Sequence, residues 1–344
     1  MNIEKQVLGL IKLSDYIKAF LSKNSEDFNE NDSEFEMILK KSEIENPWFT
    51  PDNQKFALKQ WSDLLTEEHL KSWLSNYTPS KTTKKVGLIL AGNIPLVGFH
   101  DVISVVLSNH IPLIKLSSKD KQMLPFLLKK WKEFSGNEID YEFVERLTDF
   151  DAVIATGSNN TARYLEFYFK NHLSIIRKNR TSVAVLKGDE TEEELKLLAQ
   201  DIFQYFGLGC RNVTRLFIPE DFLIDKIFES FIDFKEIINH NKYANNYDYN
   251  RAVYLLNQDK FWDNNFVMMK EDEKLFSPLS VVHFSRYSSL DDVKDFIAEN
   301  EKDIQCIVAK KDLNLDSIEL GEAQNPGLDT YADNVDTMKF LEVI

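Results

Sequence analysis

The sequence predicts an α/β protein with a helical N-terminal layer, a Rossmann-type nucleotide-binding domain and a second α/β domain. Three observations carry this reading. Short, continuously apolar runs recur at 86–91, 112–116, 152–156 and 182–186, and strands that are apolar on both faces belong to parallel sheets covered on both sides. Helical stretches separate them, among them 122–134 and 161–169, which is the alternation of a βαβ chain. Ahead of residue 85 the apolar spacing is helical instead, with Ile3, Val7, Leu10, Ile11, Ile17, Phe20 and Leu21 falling on one face.

The N-terminal layer continues with Thr50-Pro51-Asp52, an N-cap followed by proline at the first helical position, which opens a helix through Leu64. Thr66-Glu67-Glu68 opens another that ends near Tyr77. Residues 78–85 are polar and basic with Pro79 near their start, the composition of a linker. A second α/β stretch begins at Thr191, where Thr-Glu-Glu-Glu forms a capping box. Its later strands are expected at 213–218, 279–284 and 304–309. The domain boundaries that follow are 1–78, 79–188 and 189–344, with a return of the C-terminal segment to the first α/β domain as an alternative. Two α/β layers with a cleft between them is the expected arrangement.

Composition narrows the setting. Forty-one basic residues against 56 acidic ones give a net charge of −15 over 344 residues, which repels nucleic acid and anionic membrane surfaces. Two cysteines, Cys210 and Cys306, do not make a disulfide framework and fit a reducing compartment. The N-terminus lacks the pattern of a signal peptide, and the longest apolar runs are far shorter than a membrane span. A soluble cytoplasmic protein is expected, with no nucleic-acid partner and no membrane span; a homo-oligomer is left open. The six histidines include no pair at metal-ligand spacing, so no metal is expected.

The most informative stretch is Phe206-Gly207-Leu208-Gly209-Cys210-Arg211-Asn212. Two glycines release the cysteine from the end of a helix and allow close approach of a ligand, and the neighbouring arginine favours thiolate over thiol. This places Cys210 for exposure as a nucleophile, with a buried, inert thiol as the alternative reading. A second group of candidates lies at three strand ends. Asn93, in Ala91-Gly92-Asn93-Ile94-Pro95, can donate an amide N–H to a developing oxyanion. Lys115 and Ser117 suit ribose or phosphate oxygens, and the turn Thr156-Gly157-Ser158 runs into a helix whose N-terminus can meet a pyrophosphate. Arg177, Lys178 and Arg180 form a basic knot in an acidic chain and are candidate phosphate contacts.

These segments, in their order and near their spacing, resemble the aldehyde dehydrogenase superfamily. Gly92 to Leu96, Lys115 to Ser117, Thr156 to Ser158, Gly207 to Cys210 with Arg215, and Phe276-Ser277-Pro278 carry the resemblance. Longer strings, 91–101, 154–164 and 206–213, with Tyr331-Ala332-Asp333 and Val335-Asp336-Thr337, are similar to the bacterial fatty acyl-CoA reductases, relatives of the enzyme that makes aldehyde for bacterial luminescence. The resemblance covers roughly residues 45–344. It implies an aldehyde-dehydrogenase-like fold with Cys210 as acyl acceptor, and with Asn93 and the Cys210 N–H as oxyanion donors. It also implies that Lys115 and Ser117 lie at the adenosine ribose or its 2′-phosphate and that Thr156, Gly157 and Ser158 lie at the pyrophosphate. Members that oxidise aldehydes carry a glutamate in a Glu-Leu-Gly-Gly-Lys segment, and here the matching run, 176–183, contains no acid. Without that water-activating base an acyl-cysteine waits for another acceptor. The ribose-binding glutamate of the superfamily aligns with Lys274, with Glu273 and Glu271 nearby.

The expected activity is NAD(P)H-dependent reduction of a long-chain acyl-CoA or acyl thioester to the aldehyde, with NADPH as cofactor and NADH as the alternative. Lys115, Ser117, Ser118 and Lys119 precede the first acid, Asp120, and favour a 2′-phosphate. A cysteine-dependent acyltransferase and a non-catalytic scaffold of the same fold are the rival readings. His100 reads as structural, Cys306 as a small hydrophobe inside a strand, and 240–249 as a polar and aromatic lid or acyl-site wall.

Overall fold

The computed structural model describes residues 2–344. The elements run α1 (Ile3–Ser22), α2 (Glu30–Glu45), α3 (Pro51–Leu64), α4 (Glu67–Leu74), β1 (Lys85–Ile89), α5 (Phe99–Leu107), β2 (Ile111–Lys115), α6 (Met123–Phe134), β3 (Glu142–Phe143), β4 (Ala152–Thr156), α7 (Asn159–Tyr168) and β5 (Leu173–Arg177). They continue with β6 (Thr181–Val185), α8 (Glu192–Phe203), β7 (Val213–Pro219), α9 (Ile224–Ser230), α10 (Asn241–Asn257), β8 (Trp262–Asp263), β9 (Met268–Glu271), β10 (Val281–Tyr287), α11 (Leu290–Glu299), β11 (Ile304–Ala309) and α12 (Thr337–Glu342). The chain divides into two compact units, 1–178 with 327–344, and 179–326.

The first unit holds a five-stranded sheet in the order β3-β2-β1-β4-β5, parallel throughout. The order reverses between β1 and β4, and crevices for nucleotides form at the carboxyl ends of strands flanking such a reversal. α5 is predominantly apolar, and Phe99 and Val102–Leu107 are all buried. The N-terminal helices pack as a layer onto the same core, with Leu10, Leu13, Ile17, Phe35 and Leu58 fully buried. Thr50 caps Asn53 at the start of α3, as its sequence predicts.

The C-terminal segment rejoins this unit through specific polar bonds. Trp73 Nε1 donates to the Tyr331 hydroxyl (2.8 Å), which donates to Tyr77 (2.8 Å), whose hydroxyl donates to Asp336 (3.0 Å). His110 Nε2 lies 2.9 Å from the Leu341 carbonyl.

The second unit holds six strands in the order β11-β6-β7-β10-β9-β8, with only β8 antiparallel to its neighbour. β6, expected beside the strands of the first α/β domain, pairs with β7 and β11 instead. The physical reason is that a continuously apolar run announces burial on both faces but not the sheet that buries it. β5, unmarked in the sequence because Leu173 and Ser174 are exposed at its start, closes the first sheet in its place. The capping box at Thr191 and Glu194 forms as predicted and starts α8.

Candidate active site

The residues expected to carry chemistry are held within their own units by buried polar side chains. In the second unit, α8 ends and the chain turns through Tyr205 (φ 55°), Phe206 (φ 59°) and Gly207 (φ 77°) before reaching Cys210. Two bulky residues in the left-handed region cost energy that the surroundings must offset. Asn212, fully buried, supplies much of that support. Its Nδ2 donates to the carbonyls of Asp201 (3.1 Å), Ile202 (3.2 Å) and Gln204 (2.8 Å), and its Oδ1 accepts the Gly209 N–H at 2.8 Å. One amide therefore satisfies the orphan carbonyls at the end of α8 and fixes the loop.

Around this loop, Ser182 Oγ donates to the Cys210 carbonyl at 3.2 Å and lies 3.0 Å from Cys306 Sγ. Ladder pairing is shifted by one residue on both sides of Ser182, and such bulges re-aim side chains. Arg211 donates from Nε to the Ala323 carbonyl. Beneath it the Asp201 carboxylate accepts the N–H groups of Gly321 (2.7 Å) and Ala323 (2.9 Å), and burial pushes its pKa up to about 7 despite them. Cys210 is half-buried. Cys306 is half-buried by its surface rather than sealed in the strand, packs on the core of this unit, and its thiol is pushed up by burial.

Arg215, fully buried on β7, donates to the carbonyls of Asp272 (2.7 Å) and Lys274 (2.8 Å) and to Ser285 Oγ (2.9 Å). Burial lowers its pKa to about 10. It thereby fixes the backbone of the 272–274 loop, where Glu273 and Lys274 are exposed. The 240–249 stretch is the cap and start of α10, with the His240 ring tilted against Phe206 at a centroid distance of 4.4 Å and the buried Tyr243 6.2 Å from the same ring.

In the first unit, the loop after β1 carries an exposed Asn93 and turns at Leu96, a non-glycine residue at φ 59°. The loop after β2 carries an exposed Lys115 and a half-buried Ser117. Two buried groups clamp these loops together. Asn46 Nδ2 donates to the Gly92 carbonyl (3.4 Å) and the Lys119 carbonyl (3.2 Å), and the Asp120 carboxylate accepts the Leu96 N–H at 3.4 Å. The fit is close enough that a Cβ at Gly92 would stand 2.5 Å from Ser117 Oγ, so only glycine is accepted there. Burial pushes the Asp120 carboxyl up to about 6, and its other oxygen has no partner.

Two expected phosphate ligands have partners inside the first unit. Arg177 is buried and forms a two-pronged ion pair with Asp101 at 2.7 and 2.9 Å, with a further bond to Thr337 Oγ1 at 3.0 Å, so its charge is neutralised inside the first unit. The Gly157 N–H donates to the Arg177 carbonyl at 3.1 Å as a continuation of the β4–β5 ladder and is not a donor for pyrophosphate. Ser158 caps α7 through the Thr161 N–H, and a Cβ at Gly157 would meet Thr161 at 2.9 Å. Lys178 pairs with Glu166 at 2.9 Å across an exposed surface, and Arg180 donates to the Ile304 carbonyl at 3.1 Å. His100 sits among Trp61, Trp73 and Tyr331 with Nε2 at 2.8 Å from the Leu328 carbonyl, and burial lowers its pKa.

Sequence reasoning did not single out Asn46, Asp120, Asp201, Ser182 or the role of Asn212. Asn212 alone had a local signal, an amide residue just past the end of a helix. Among the described residues no group of three or more His, Cys, Asp or Glu is placed to hold a metal, and no helix is long and apolar enough to cross a membrane.

Known structures share this architecture. Aldehyde dehydrogenase 21 from Physcomitrella patens, in complex with the reaction product succinate, superposes with a TM-score of 0.67 at 13% identity, over 100% of this chain and 84% of that one. A mutant aldehyde dehydrogenase C from Pseudomonas syringae, complexed with NAD+ and octanal, gives 0.63 at 10% identity over 90% and 73% of the two chains. The NAD+ complex of an aldehyde dehydrogenase from Bacillus cereus gives 0.58 at 13%, over 90% and 72%. The fold is thus that of the aldehyde dehydrogenase superfamily, a Rossmann-type unit with an α/β catalytic unit. No curated protein sequence matches the chain. A family model described as Acyl-CoA reductase (LuxC) matches residues 48–229, more than half of the sequence, and the chain belongs to that family. Membership of that family makes it an oxidoreductase.

Proposed function

We propose that this protein reduces a long-chain fatty acyl-CoA or acyl thioester to the aldehyde through an acyl-cysteine on Cys210, with NADPH as the preferred reductant. The observation that carries the reading is the Cys210 loop: a half-buried thiol after three left-handed residues, fixed by Asn212 and Ser182, in a chain of the acyl-CoA reductase family. Such a loop is preorganised for attack.

The nucleotide fits the donor set of the first unit. The carboxyl ends of β1, β2 and β4 flank the reversal of strand order, and Lys115, Ser117 and Lys119 supply two cations and a hydroxyl at that edge. With Arg177 and Gly157 engaged internally, Lys115, Ser117 and Lys119 would hold the ribose and its phosphate, with the Thr156–Ser158 turn beside the pyrophosphate. The bound reduced nicotinamide supplies the hydride.

The chain's own residues would do the rest. Cys210 thiolate attacks the thioester carbon, Asn93 and the Cys210 N–H take the oxyanion, and collapse expels the coenzyme A thiolate. Residues 176–183 bring no acid to activate water, and His100 is held on a backbone carbonyl, so the acyl-cysteine is protected from hydrolysis.

Loss of NADPH absorbance on adding palmitoyl-CoA tests this. Coenzyme A release without that loss would favour acyl transfer, and neither signal would favour a scaffold. Mixed with palmitoyl-CoA alone, the protein is expected to release about one coenzyme A per Cys210 and then stall; sustained release would show a base that this reading does not contain.

A further inference from the structure

A cavity of about 220 Å³ opens in the first unit, lined by no residue of the proposed chemistry. Its floor is Leu107, Ser108 and Met338, all buried. Ile3, Leu74 and Tyr77 form its walls, and the exposed Thr78 and Pro79 mark its mouth. Native cores rarely leave voids larger than a water, and this one exceeds the ~150 Å³ of an apolar cavity that binds benzene.

Three features distinguish the cavity from a packing defect. Its rim is stapled in place: the Ser80 N–H donates to the Ser108 carbonyl (3.1 Å), Asn109 Nδ2 donates to the Ser80 carbonyl (2.8 Å), and the Thr78 N–H donates to Glu342. The Ser108 hydroxyl on the floor has the Met338 thioether, at 3.4 Å, as its acceptor. A thioether is a weak acceptor, so an oxygen entering the cavity would take that proton in its place. Finally, no lining residue is cationic, while Glu342 stands at the mouth and Asp336 bonds Tyr77, which disfavours an anion.

We propose that this cavity is a second ligand site for an uncharged, unbranched alkyl compound bearing one oxygen acceptor, a medium-chain alcohol or aldehyde, with the oxygen at Ser108 and the chain along Leu74, Leu107 and Met338. At roughly 30 Å³ per small group, the space holds about seven non-hydrogen atoms. The site is separate from the proposed reduction and is tested without it.

The test is binding of 1-hexanol to the full chain, read as a rise in Tm and by calorimetry, against hexanoate. Hexanol is expected to bind saturably and to raise Tm by a few degrees at saturation, and hexanoate to bind about tenfold more weakly. Ser108→Ala should weaken hexanol about fivefold, and Leu74→Trp, which fills the space, should abolish the shift. An equal shift in wild type and Leu74→Trp, or hexanoate binding as well as hexanol, would overturn the proposal. Should Leu74→Trp fail to fold, crystals soaked in 6-bromohexanol decide: bromine density in the cavity supports it, and its absence refutes it.

Discussion

The two units fix their functional loops with the same pair of tools, one buried asparagine and one buried aspartate, but with different tightness. In the second unit Asn212 makes bonds of 2.8 to 3.2 Å and Asp201 accepts two N–H groups at 2.7 and 2.9 Å. In the first, Asn46 reaches across from the end of α2 at 3.2 and 3.4 Å, and Asp120 accepts one N–H at 3.4 Å with its second oxygen unpartnered. The loop of the candidate nucleophile is therefore clamped hard by Asn212, its neighbour in sequence, and the loops of the candidate oxyanion and ribose ligands are clamped more loosely from a distance. A nucleophile must hold one geometry, whereas a strand-end crevice that admits and releases a nucleotide must give.

The sharpest way to break the comparison is to remove the thiol that the tight clamp presents. Cys210→Ala is expected to lower acyl-CoA-dependent NADPH oxidation by on the order of 10⁴-fold or more, and Cys306→Ala to leave it within about twofold. Comparable turnover by Cys210→Ala would end the covalent reading.

Stability against pH probes both aspartates. Each has a folded pKa above its unfolded value, so the folded protein binds more protons and stability declines as pH rises from about 4 to 6 for Asp120 and to about 7 for Asp201. Ionisation costs about 3 kcal/mol at Asp120 and about 4 kcal/mol at Asp201. Asp120→Asn should flatten the lower part of that decline in urea titrations; an unchanged slope would mean that Asp120 is ionised in the fold without penalty.

Alanine at the two asparagines measures the tightness directly. Asn212→Ala is expected to cost about 3 kcal/mol and Asn46→Ala about 1 kcal/mol by chemical denaturation. Equal costs would show that bond length in the two clamps carries no energetic meaning.

The smallest effect is at the loose edge. Lys115→Ala should reduce kcat/KM for NADPH about tenfold and leave that for NADH within about twofold. A wild-type preference for NADH, or equal losses for both nucleotides, would show that this edge does not read the 2′-phosphate.

Most of the architecture was legible because apolar periodicity is local. The runs at 86–91, 112–116 and 152–156 became β1, β2 and β4, and Thr50 and Thr191 capped helices as predicted. Pairing was not legible, since nothing in 182–186 says which sheet will receive it. The candidate site divided in the same way. Cys210 and Asn93 stand out from adjacent glycines and a strand end, but the clamps at Asn46, Asp120 and Asp201 are assembled from residues distant in sequence from what they hold. Arg177 misled for a related reason: a basic residue in a loop-like string reads as free until Asp101, on a helix far upstream, is seen to neutralise it.

The return of residues 327–344 to the first unit bears on the order of events at the ribosome. Leu328, Tyr331, Met338 and Leu341 belong to the core of that unit, and His100, His110, Tyr77 and Arg177 all bond partners in the returning segment. Residues 179–326, which precede that segment in the chain, form their own unit. The first unit is thus completed only after the chain has passed through the second. Until residues 327–344 are in place, the floor of the 220 Å³ cavity lacks Met338 and His100 lacks the Leu328 carbonyl, so the first unit keeps an open apolar surface that this segment covers.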